Sequence, residues 1–289
     1  MSQADRQAAR FFPLIVAVGL ALAWTGSQGS VKVAGVPLFG LAVGLAYLIQ
    51  WMAFLPAFRF QTEKFFDLTG SFTYIAITLL LVFLSPAPDT RSLLLAALIV
   101  IWAARLGSFL FLRIRRAGKD DRFDALKPFF WRFLNVWTLQ GLWVSFTAGA
   151  AWAAMTAPVS SPLDGWAFAG FFLWGLGFLF EVVADEQKRR FQADPANRGK
   201  FIQSGLWRLS RHPNYFGEIL LWAGIVLIAV PTLEGWRWLT LLSPFFVAVL
   251  LTRISGIPLL EQKADARWGG QPEYEAYKRE TPVLFPRLW

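Results

Sequence analysis

The chain has no cysteine and a single histidine, His212, among its 289 residues. The absence of cysteine excludes disulfides, thiolate metal sites, iron–sulfur clusters and a cysteine nucleophile. One histidine also excludes a multi-histidine metal centre and a bis-histidine haem, so we predict no metal ion. The sequence contains neither a Walker A loop nor a glycine-rich dinucleotide fingerprint after a strand. A phosphate-bearing ligand would therefore need another kind of binding site.

Apolar and aromatic residues are abundant. They include 15 Trp and 28 Phe, apolar residues make up 56% of the chain, and the mean hydropathy is +0.45. This composition is typical of an integral membrane protein. Eight apolar segments can be read, at about 11–26, 34–58, 68–84, 92–112, 129–155, 164–184, 214–232 and 236–252. We predict an all-α, polytopic membrane helical bundle of about eight transmembrane helices, forming one domain over residues 1–289.

The distribution of positive charge supports this count. If eight helices alternate in direction, 23 of the 28 Lys and Arg fall on one side of the membrane, and the opposite side holds only Lys32, Arg91 and Arg237. Basic residues concentrate in cytoplasmic connections, so both termini are predicted to be cytoplasmic. Topology thus accounts for most of the net charge of +9 without a nucleic-acid partner. We expect a protein of the bacterial inner (cytoplasmic) membrane, surrounded by membrane lipids.

Residues 204–224 contain the most informative pattern in the chain. Pro213 suits the first turn of a helix, because its missing N–H would be unpaired there in any case. The start of that helix, together with Arg208, Arg211 and His212, is predicted to bind a phosphate or carboxylate.

The same predicted helix carries polar residues into an apolar segment. Asn214, Glu218 and Trp222 recur at every fourth position and share one face. A buried acid within a membrane is usually functional, which favours a binding site. The alternative is a capped helix whose Glu is satisfied by a structural neighbour.

Polar side chains also stand at the ends of two other apolar segments. Glu181, Asp185 and Lys188 share one face where segment six ends, which fits either a binding surface or charge pairs on a helix leaving the membrane. Segment three opens with Asp67 and continues to Tyr74. Asp67 could also cap that helix, a common role for Asp.

Arg105 lies inside the fourth apolar segment, where an unpaired charge would be costly. We expect Arg105, Asp67, Glu181 and Glu218 to neutralise one another in a shared polar cavity. The surrounding Trp, Phe, Leu and Gly residues indicate an apolar lipid substrate that enters from the bilayer.

Several motifs together resemble the steroid 5-alpha-reductase type of membrane enzyme, and most closely its little-characterised bacterial and plant branch. They are Asp67-x-Thr69-Gly70, Arg105-Leu106-Gly107, Asp121-Arg122-Phe123, Ala184-Asp185-x-Gln187-Lys188, Gly205-Leu206-Trp207, Ser210-Arg211-His212-Pro213-Asn214-Tyr215-Phe216-Gly217-Glu218, Ser255-Gly256-Ile257-Pro258 and Tyr274-x-x-Tyr277. The resemblance covers about two thirds of the chain, and its most specific run is 210–218.

The resemblance implies a helical membrane enzyme that reduces a carbon–carbon double bond conjugated to a ketone with NADPH. Residues 181–286 would form the nucleotide-binding, reductase-like region. Those implied to contact the nucleotide are Asp185, Arg211, Asn214, Glu218, Trp222, Arg253 and Tyr277. We add Lys188, which shares a predicted helix face with Asp185, and His212, which stands at the predicted start of the helix that carries Asn214.

The sequence departs from true steroid reductases at the carbonyl-binding groups. It has no Gln-Glu pair in its early helices, and Trp102 stands where the family has a Tyr. We therefore predict that Asp67, with Tyr74 nearby, supplies the proton that an enolate requires, and that Glu218 completes the catalytic set.

A second class of enzyme shares the C-terminal pattern. Isoprenylcysteine and bacterial phospholipid methyltransferases also show Arg-His-Pro-x-Tyr-x-Gly followed by a Glu-containing tail, and they bind S-adenosylmethionine. Asn214 with Glu218, and the single Glu261 where the methyltransferases have a pair, favour the reductase. A transporter is a third alternative, although the chain has no inverted repeat.

Overall fold

The computed structural model describes residues 3–86 and 88–287, and these are helical almost throughout. The α-helices are α1 Gln3–Ser27, α2 Leu38–Arg59, α3 Phe66–Leu84, α4 Thr90–Ala117, α5 Phe130–Met155, α6 Gly165–Ala193, α7 Leu206–Leu209, α8 Pro213–Ala229, α9 Ser243–Val249, α10 Ile257–Trp268 and α11 Pro272–Glu280. An antiparallel pair of two-residue strands, β1 Lys32–Val33 and β2 Val36–Pro37, connects α1 to α2.

The structure confirms the prediction of an all-α polytopic bundle. Within the described residues, seven helical stretches are long and apolar enough to cross a membrane, and α5 is not among them. The eighth predicted segment is irregular: a 3₁₀ turn over Gly235–Leu242 leads into α9, and a π turn over Leu250–Ile254 follows. The positions of the termini and the single-domain interpretation stay predictions.

The chain divides into two compact units, and unit 1 comprises Met1–Ala167 and Ile228–Ser243. In unit 1, α5 packs against α1, α2, α3 and α4, and most of its residues are buried. Small residues allow this close packing: a Cβ on Gly141 would lie 3.3 Å from the Cα of Tyr47. A helix covered on several sides faces little lipid, which explains why α5 can be less apolar than its neighbours.

Hydrogen bonds between helices hold unit 1 together inside its apolar interior. Gln50 Nε2 donates to Thr73 Oγ1 at 2.8 Å, which joins α2 to α3. Trp152 Nε1 donates to Thr78 Oγ1 at 3.1 Å, which joins α5 to α3. Such bonds connect helices in an environment that offers no competing water.

Arg91, which the charge pattern assigned to the outer side, is almost completely buried in unit 1. Its guanidinium donates to the carbonyl oxygens of Pro162 and Ile228, at 2.6 and 2.5 Å, and lies 2.9 Å from Asp164 Oδ1. Asp89 caps α4 beside it by accepting from Ser92 N. The buried charge of Arg91 is thus fully engaged in holding the chain together.

Unit 2 comprises Phe168–Leu227 and Pro244–Trp289, and it contains the motif-rich region. Helices α6 and α8 approach each other at glycines. A Cβ on Gly217 would lie 2.5 Å from Gly177 O and 2.6 Å from Glu181 N, which are backbone atoms that cannot move aside. Only glycine allows this approach, and it brings the polar end of α6 to the polar start of α8.

The C-terminal segment of unit 2 returns to the start of α8. Arg211 N donates to Pro282 O at 2.9 Å, and Arg287 N donates to Leu209 O at 2.9 Å. Ser210 Oγ donates to Leu284 O at 2.8 Å. The residues just before α8 are therefore held on both sides of Ser210.

Candidate active site

The helix start predicted at Pro213 is confirmed, since α8 begins at that residue. The preceding residues cannot join the helix because the chain ahead of a proline is pushed toward an extended conformation. Ser210, three residues before Pro213, ends α7 in an extended conformation with ψ 146°, and its hydroxyl accepts from His212 N at 3.2 Å.

The position predicted to bind an anion holds a carboxylate of the chain itself. Arg211 Nη1 donates to Glu261 Oε2 at 2.5 Å, and His212 Nε2 lies 2.8 Å from Glu261 Oε1. The ring of His212 also stacks on Tyr215, with centroids 5.7 Å apart. Two predicted cofactor residues thus share one acidic partner on α10.

Burial sets the charge state of His212. It lowers the pKa of the imidazole, and the positive charges of Lys188 and Arg211 act in the same direction, while the hydrogen bond and charge of Glu261 oppose them. The net effect is a pKa below the ordinary range. His212 therefore remains neutral at physiological pH, and its one ring N–H can serve the hydrogen bond between Nε2 and Glu261 Oε1.

The end of α6 and the start of α8 meet through polar side chains. Asn214 Nδ2 donates to Asp185 Oδ1 at 3.2 Å, and Asp185 is only 6% exposed. Glu181, Glu218 and Trp222 are also buried, at 2%, 9% and 1% exposure. The helix places Asn214, Glu218 and Trp222 on one face of α8, as predicted.

Two atoms in this arrangement have unused hydrogen-bonding capacity. Asn214 Oδ1 and Arg211 Nε are buried, and neither has a hydrogen-bond partner among the described residues. An unpaired buried donor or acceptor costs about 1–3 kcal/mol. One acceptor and one donor at a single helix start can therefore be satisfied by a polar ligand.

Lys188 and Tyr277 are joined through α7. The ammonium of Lys188 lies 4.6 Å from the ring centroid of Trp207, and Tyr277 Oη donates to Trp207 O at 2.6 Å. Trp207 Nε1 donates in turn to Ala184 O on α6 at 2.9 Å. Burial raises the pKa of Tyr277, so its phenol stays protonated and keeps this bond.

Arg253 differs from the other predicted cofactor residues. It lies in the π turn after α9 and is exposed, and no hydrogen bond or ion pair of its side chain is seen within residues 3–86 and 88–287. Its assignment to the cofactor stays a prediction. Glu261 was not assigned to the site, although it is the group that Arg211 and His212 bind. In the sequence, Glu261 could be noticed because it follows the Ser-Gly-Ile-Pro motif. The spacing along the chain does not show that this motif lies near α8.

The catalytic candidates Asp67 and Tyr74 lie in unit 1, whereas Glu218 belongs to unit 2, and their joint role stays a prediction. Asp67 Oδ2 lies 3.7 Å from Arg113 Nη2 and 3.8 Å from Arg122 Nη2. Asp67 therefore lies near two arginines that the sequence pattern did not indicate, Arg113 in the last turns of α4 and Arg122 in the α4–α5 connection.

The capping alternative for Asp67 is not supported. The N-cap of α3 is Phe65, and its side chain makes no capping bond, so Asp67 sits inside the first turn. Tyr74 lies on the same helix, is buried, and meets the ring of Trp102 edge-on with centroids 5.2 Å apart. Trp102, which replaces a family Tyr, thus contacts the candidate donor.

Comparison with known proteins supplies the family. A family model described as a protein of unknown function, DUF1295, matches residues 53–281. The chain belongs to the DUF1295 family. The match runs from the end of α2 through α11 and includes every residue proposed here for catalysis or cofactor binding.

Three curated relatives point in different directions. An uncharacterised protein of Schizosaccharomyces pombe is 26% identical over 68% of this chain and 64% of its own length. A probable O-methyltransferase of Ustilaginoidea virens is 26% identical over 47% of this chain and 46% of the relative. The 3-oxo-5-alpha-steroid 4-dehydrogenase 1 of Rattus norvegicus is 27% identical over 40% of each chain.

The matches thus span less than two thirds of the length of each of these relatives. No solved structure matches the chain significantly. The chain is therefore a DUF1295 protein with distant similarity to both a steroid dehydrogenase and a probable O-methyltransferase.

Proposed function

We propose that this DUF1295 protein is a membrane-embedded reductase that uses NADPH to reduce a carbon–carbon double bond conjugated to a carbonyl in a steroid-like or other apolar lipid. The observation that carries the proposal is the pair of buried atoms without partners, Asn214 Oδ1 and Arg211 Nε, beside Asp185. The similarity to a steroid dehydrogenase over 40% of the chain supports it.

The residues present fit such a cofactor. A nicotinamide carboxamide carries an N–H₂ donor and a carbonyl acceptor, which match Asn214 Oδ1 and Arg211 Nε in hydrogen-bonding sense. Lys188 and Arg211 supply positive charge for phosphate groups. When bound, NADPH supplies the hydride. The chain's own part is to orient the carboxamide through Asn214 and to exclude water with Trp222 and the buried face of α8.

For the proton that completes the reduction, the candidates stay Asp67, Tyr74 and Glu218. If Asp67 gives up its proton, the nearby guanidinium groups of Arg113 and Arg122 would stabilise the carboxylate that remains. We place the enzyme in the bacterial inner membrane, where an apolar substrate can reach it from the bilayer.

A methyltransferase that binds S-adenosylmethionine is the second candidate. It is favoured by Glu261, which holds Arg211 and His212 and so occupies the place where a phosphate was expected. The methionine end of S-adenosylmethionine has an ammonium and a carboxylate, and Glu261 with Arg211 offers the opposite charge for each. The similarity to a probable O-methyltransferase adds weight.

Ligand-dependent thermal unfolding of the detergent-purified protein tests the proposal. NADPH at one hundred times its Kd should add about 2.7 kcal/mol of stability, and S-adenosylmethionine should add none. Arg211→Ala and Asn214→Ala should weaken NADPH binding about tenfold or more, since each removes a polar contact to the ligand. Arg189→Ala is the control, because Arg189 is exposed and pairs with Glu186 on its own helix. Stabilisation by S-adenosylmethionine alone would establish the methyltransferase instead.

A further inference from the structure

A cleft outside the residues discussed so far opens within unit 2. Its volume is about 280 Å³. Sites for small molecules commonly measure about 300–1,000 Å³, so this cleft is close to the lower end of that range and suits one part of a larger ligand. The side chains that line it include Phe191, Lys200, Phe201, Gln203, Ser204 and Glu273.

One wall of the cleft is a fixed aromatic surface. The ring of Phe201 packs against Trp268, Tyr274 and Tyr277, with centroids 5.8, 5.2 and 5.4 Å apart. Trp268 Nε1 is itself tied to Gly199 O at 2.6 Å. Phe191 lines the same cleft from the end of α6. Aromatic side chains of this kind stack on nucleobases, with about 1–3 kcal/mol per base.

A series of direct contacts links the wall of the cleft to the candidate active site. Phe201 touches Tyr277, and Tyr277 Oη donates to Trp207 O. The ammonium of Lys188 lies over the ring of Trp207, and Trp207 Nε1 donates to the carbonyl oxygen of Ala184, which precedes Asp185 in the sequence. The position of the cleft is therefore fixed, through these contacts, relative to the end of α6 where Asp185 binds Asn214.

The charged residues of the cleft distinguish between adenosine ligands. Lys200 suits a phosphate on the 2′-position of an adenine ribose, whereas the carboxylate of Glu273 suits a free 2′-hydroxyl. Both NADPH and S-adenosylmethionine contain adenosine, but only NADPH carries the 2′-phosphate.

We propose that this cleft binds the adenosine end of the cofactor, with its base on the aromatic wall of Phe191 and Phe201 and its 2′-phosphate at Lys200. The inference rests on the proposed function, because it takes the cofactor to be NADPH. It adds a second anchoring region, separate from the helix start of α8, and assigns the selection of NADPH over NADH to one lysine.

Binding of NADPH and NADH to the full-length protein in detergent tests the inference. Lys200→Gln should weaken NADPH at least tenfold and leave NADH unchanged, because only NADPH loses a charged contact. Phe191→Ala should weaken both, since the adenine ring is common to them. Lys263→Gln, an exposed lysine of α10 outside the cleft, should change neither.

The possible results separate the two proposals. If wild type binds NADPH and both cleft variants bind it equally well, the cleft proposal is wrong and the reductase proposal stands. If wild type binds only S-adenosylmethionine, NADPH as the cofactor is wrong, and the assignment of the 2′-phosphate to Lys200 is overturned with it. If wild type binds none of these ligands, both proposals are overturned.

Discussion

At the scale of single residues, the candidate site is defined by which polar atoms are paired and which are not. Glu261 engages both Arg211 and His212, and Asp185 engages one end of Asn214. The remaining capacity lies on Arg211 Nε and Asn214 Oδ1. A ligand is therefore expected to add hydrogen bonds to groups that are already held in position, which limits the entropy lost on binding.

The first prediction concerns His212 and pH. Burial lowers its pKa in the folded protein, so the unfolded state binds more protons once the pH falls below the ordinary histidine value of about 6.5. The stability that neutral His212 contributes is complete above that value and is lost as the pH falls through the lowered pKa. Wild type should lose more thermal stability between pH 7.5 and 5.5 than His212→Gln, which cannot titrate. Parallel losses in the two proteins would contradict this.

The second prediction concerns Asp67 and chemistry. Asp67→Asn keeps the size of the side chain and removes its ionisable proton. If Asp67 delivers the proton, turnover of an enone lipid should fall by about 10²- to 10⁴-fold with NADPH affinity unchanged. Turnover close to wild type would exclude Asp67 and leave Tyr74 and Glu218. Asp121→Asn serves as the control, since Asp121 is exposed and pairs with Lys119.

At the scale of helices, glycines decide how closely α6 and α8 approach. Gly177 and Gly217 lie against each other's backbone, and a Cβ at Gly224 would lie 2.5 Å from Gly170 O. This contact places Glu181 and Asp185 beside the first turns of α8. The position of the acidic residues thus depends on glycines that carry no chemistry themselves.

The third prediction tests that contact. Gly217→Ala should lower the free energy of unfolding by about 1–3 kcal/mol, because its new Cβ meets backbone atoms and forces the helices apart. Gly175→Ala in α6 is a matched control, since a Cβ there has no neighbour within 4 Å and alanine is the better helix former. Thermal unfolding should show a loss for the first variant and none for the second. Equal stability of the two would mean that the close approach is not required.

At the scale of the whole molecule, the described residues form seven apolar helical stretches and a largely buried α5, which is the pattern of a polytopic membrane protein. Exposed aromatic and aliphatic side chains cover the outer faces of these helices, among them Phe11, Leu14, Phe72 and Phe83. In water such surfaces would aggregate, whereas in lipid they are solvated.

The fourth prediction concerns orientation. Reporter fusions after Arg116 and Arg198 should report the cytoplasm, and fusions at Ser30, Pro88 and Ser161 should report the opposite side, because basic residues concentrate in the first set of connections. A reporter after Arg198 that is found outside would contradict the topology. The same outcome would contradict the proposed function, because the cofactor site would then face away from the cytoplasm, where NADPH is available.

The amino-acid sequence by itself determined the fold class and the start of α8. Hydropathy is a local property, so each of the first seven apolar segments coincides with a helix that forms, although polar turns extend α1 at its start and α6 at its end. Proline restricts its own backbone and that of the residue before it, so Pro213 marked the first turn of α8 without knowledge of any neighbour. The shared face of Asn214, Glu218 and Trp222 followed from the helical period alone.

The partners of the charged side chains, in contrast, could be identified only from the tertiary structure. Glu261 lies 49 and 50 residues from His212 and Arg211, and Arg113 lies well beyond Asp67 in sequence, so no local rule connects them. The last predicted segment, 236–252, forms 3₁₀ and π turns around α9, and α5 is central in unit 1. Both features depend on the elements that pack around these residues. Pairing of charges is a property of distance in space, and the chain sets that distance by close helix contacts such as the one at Gly217.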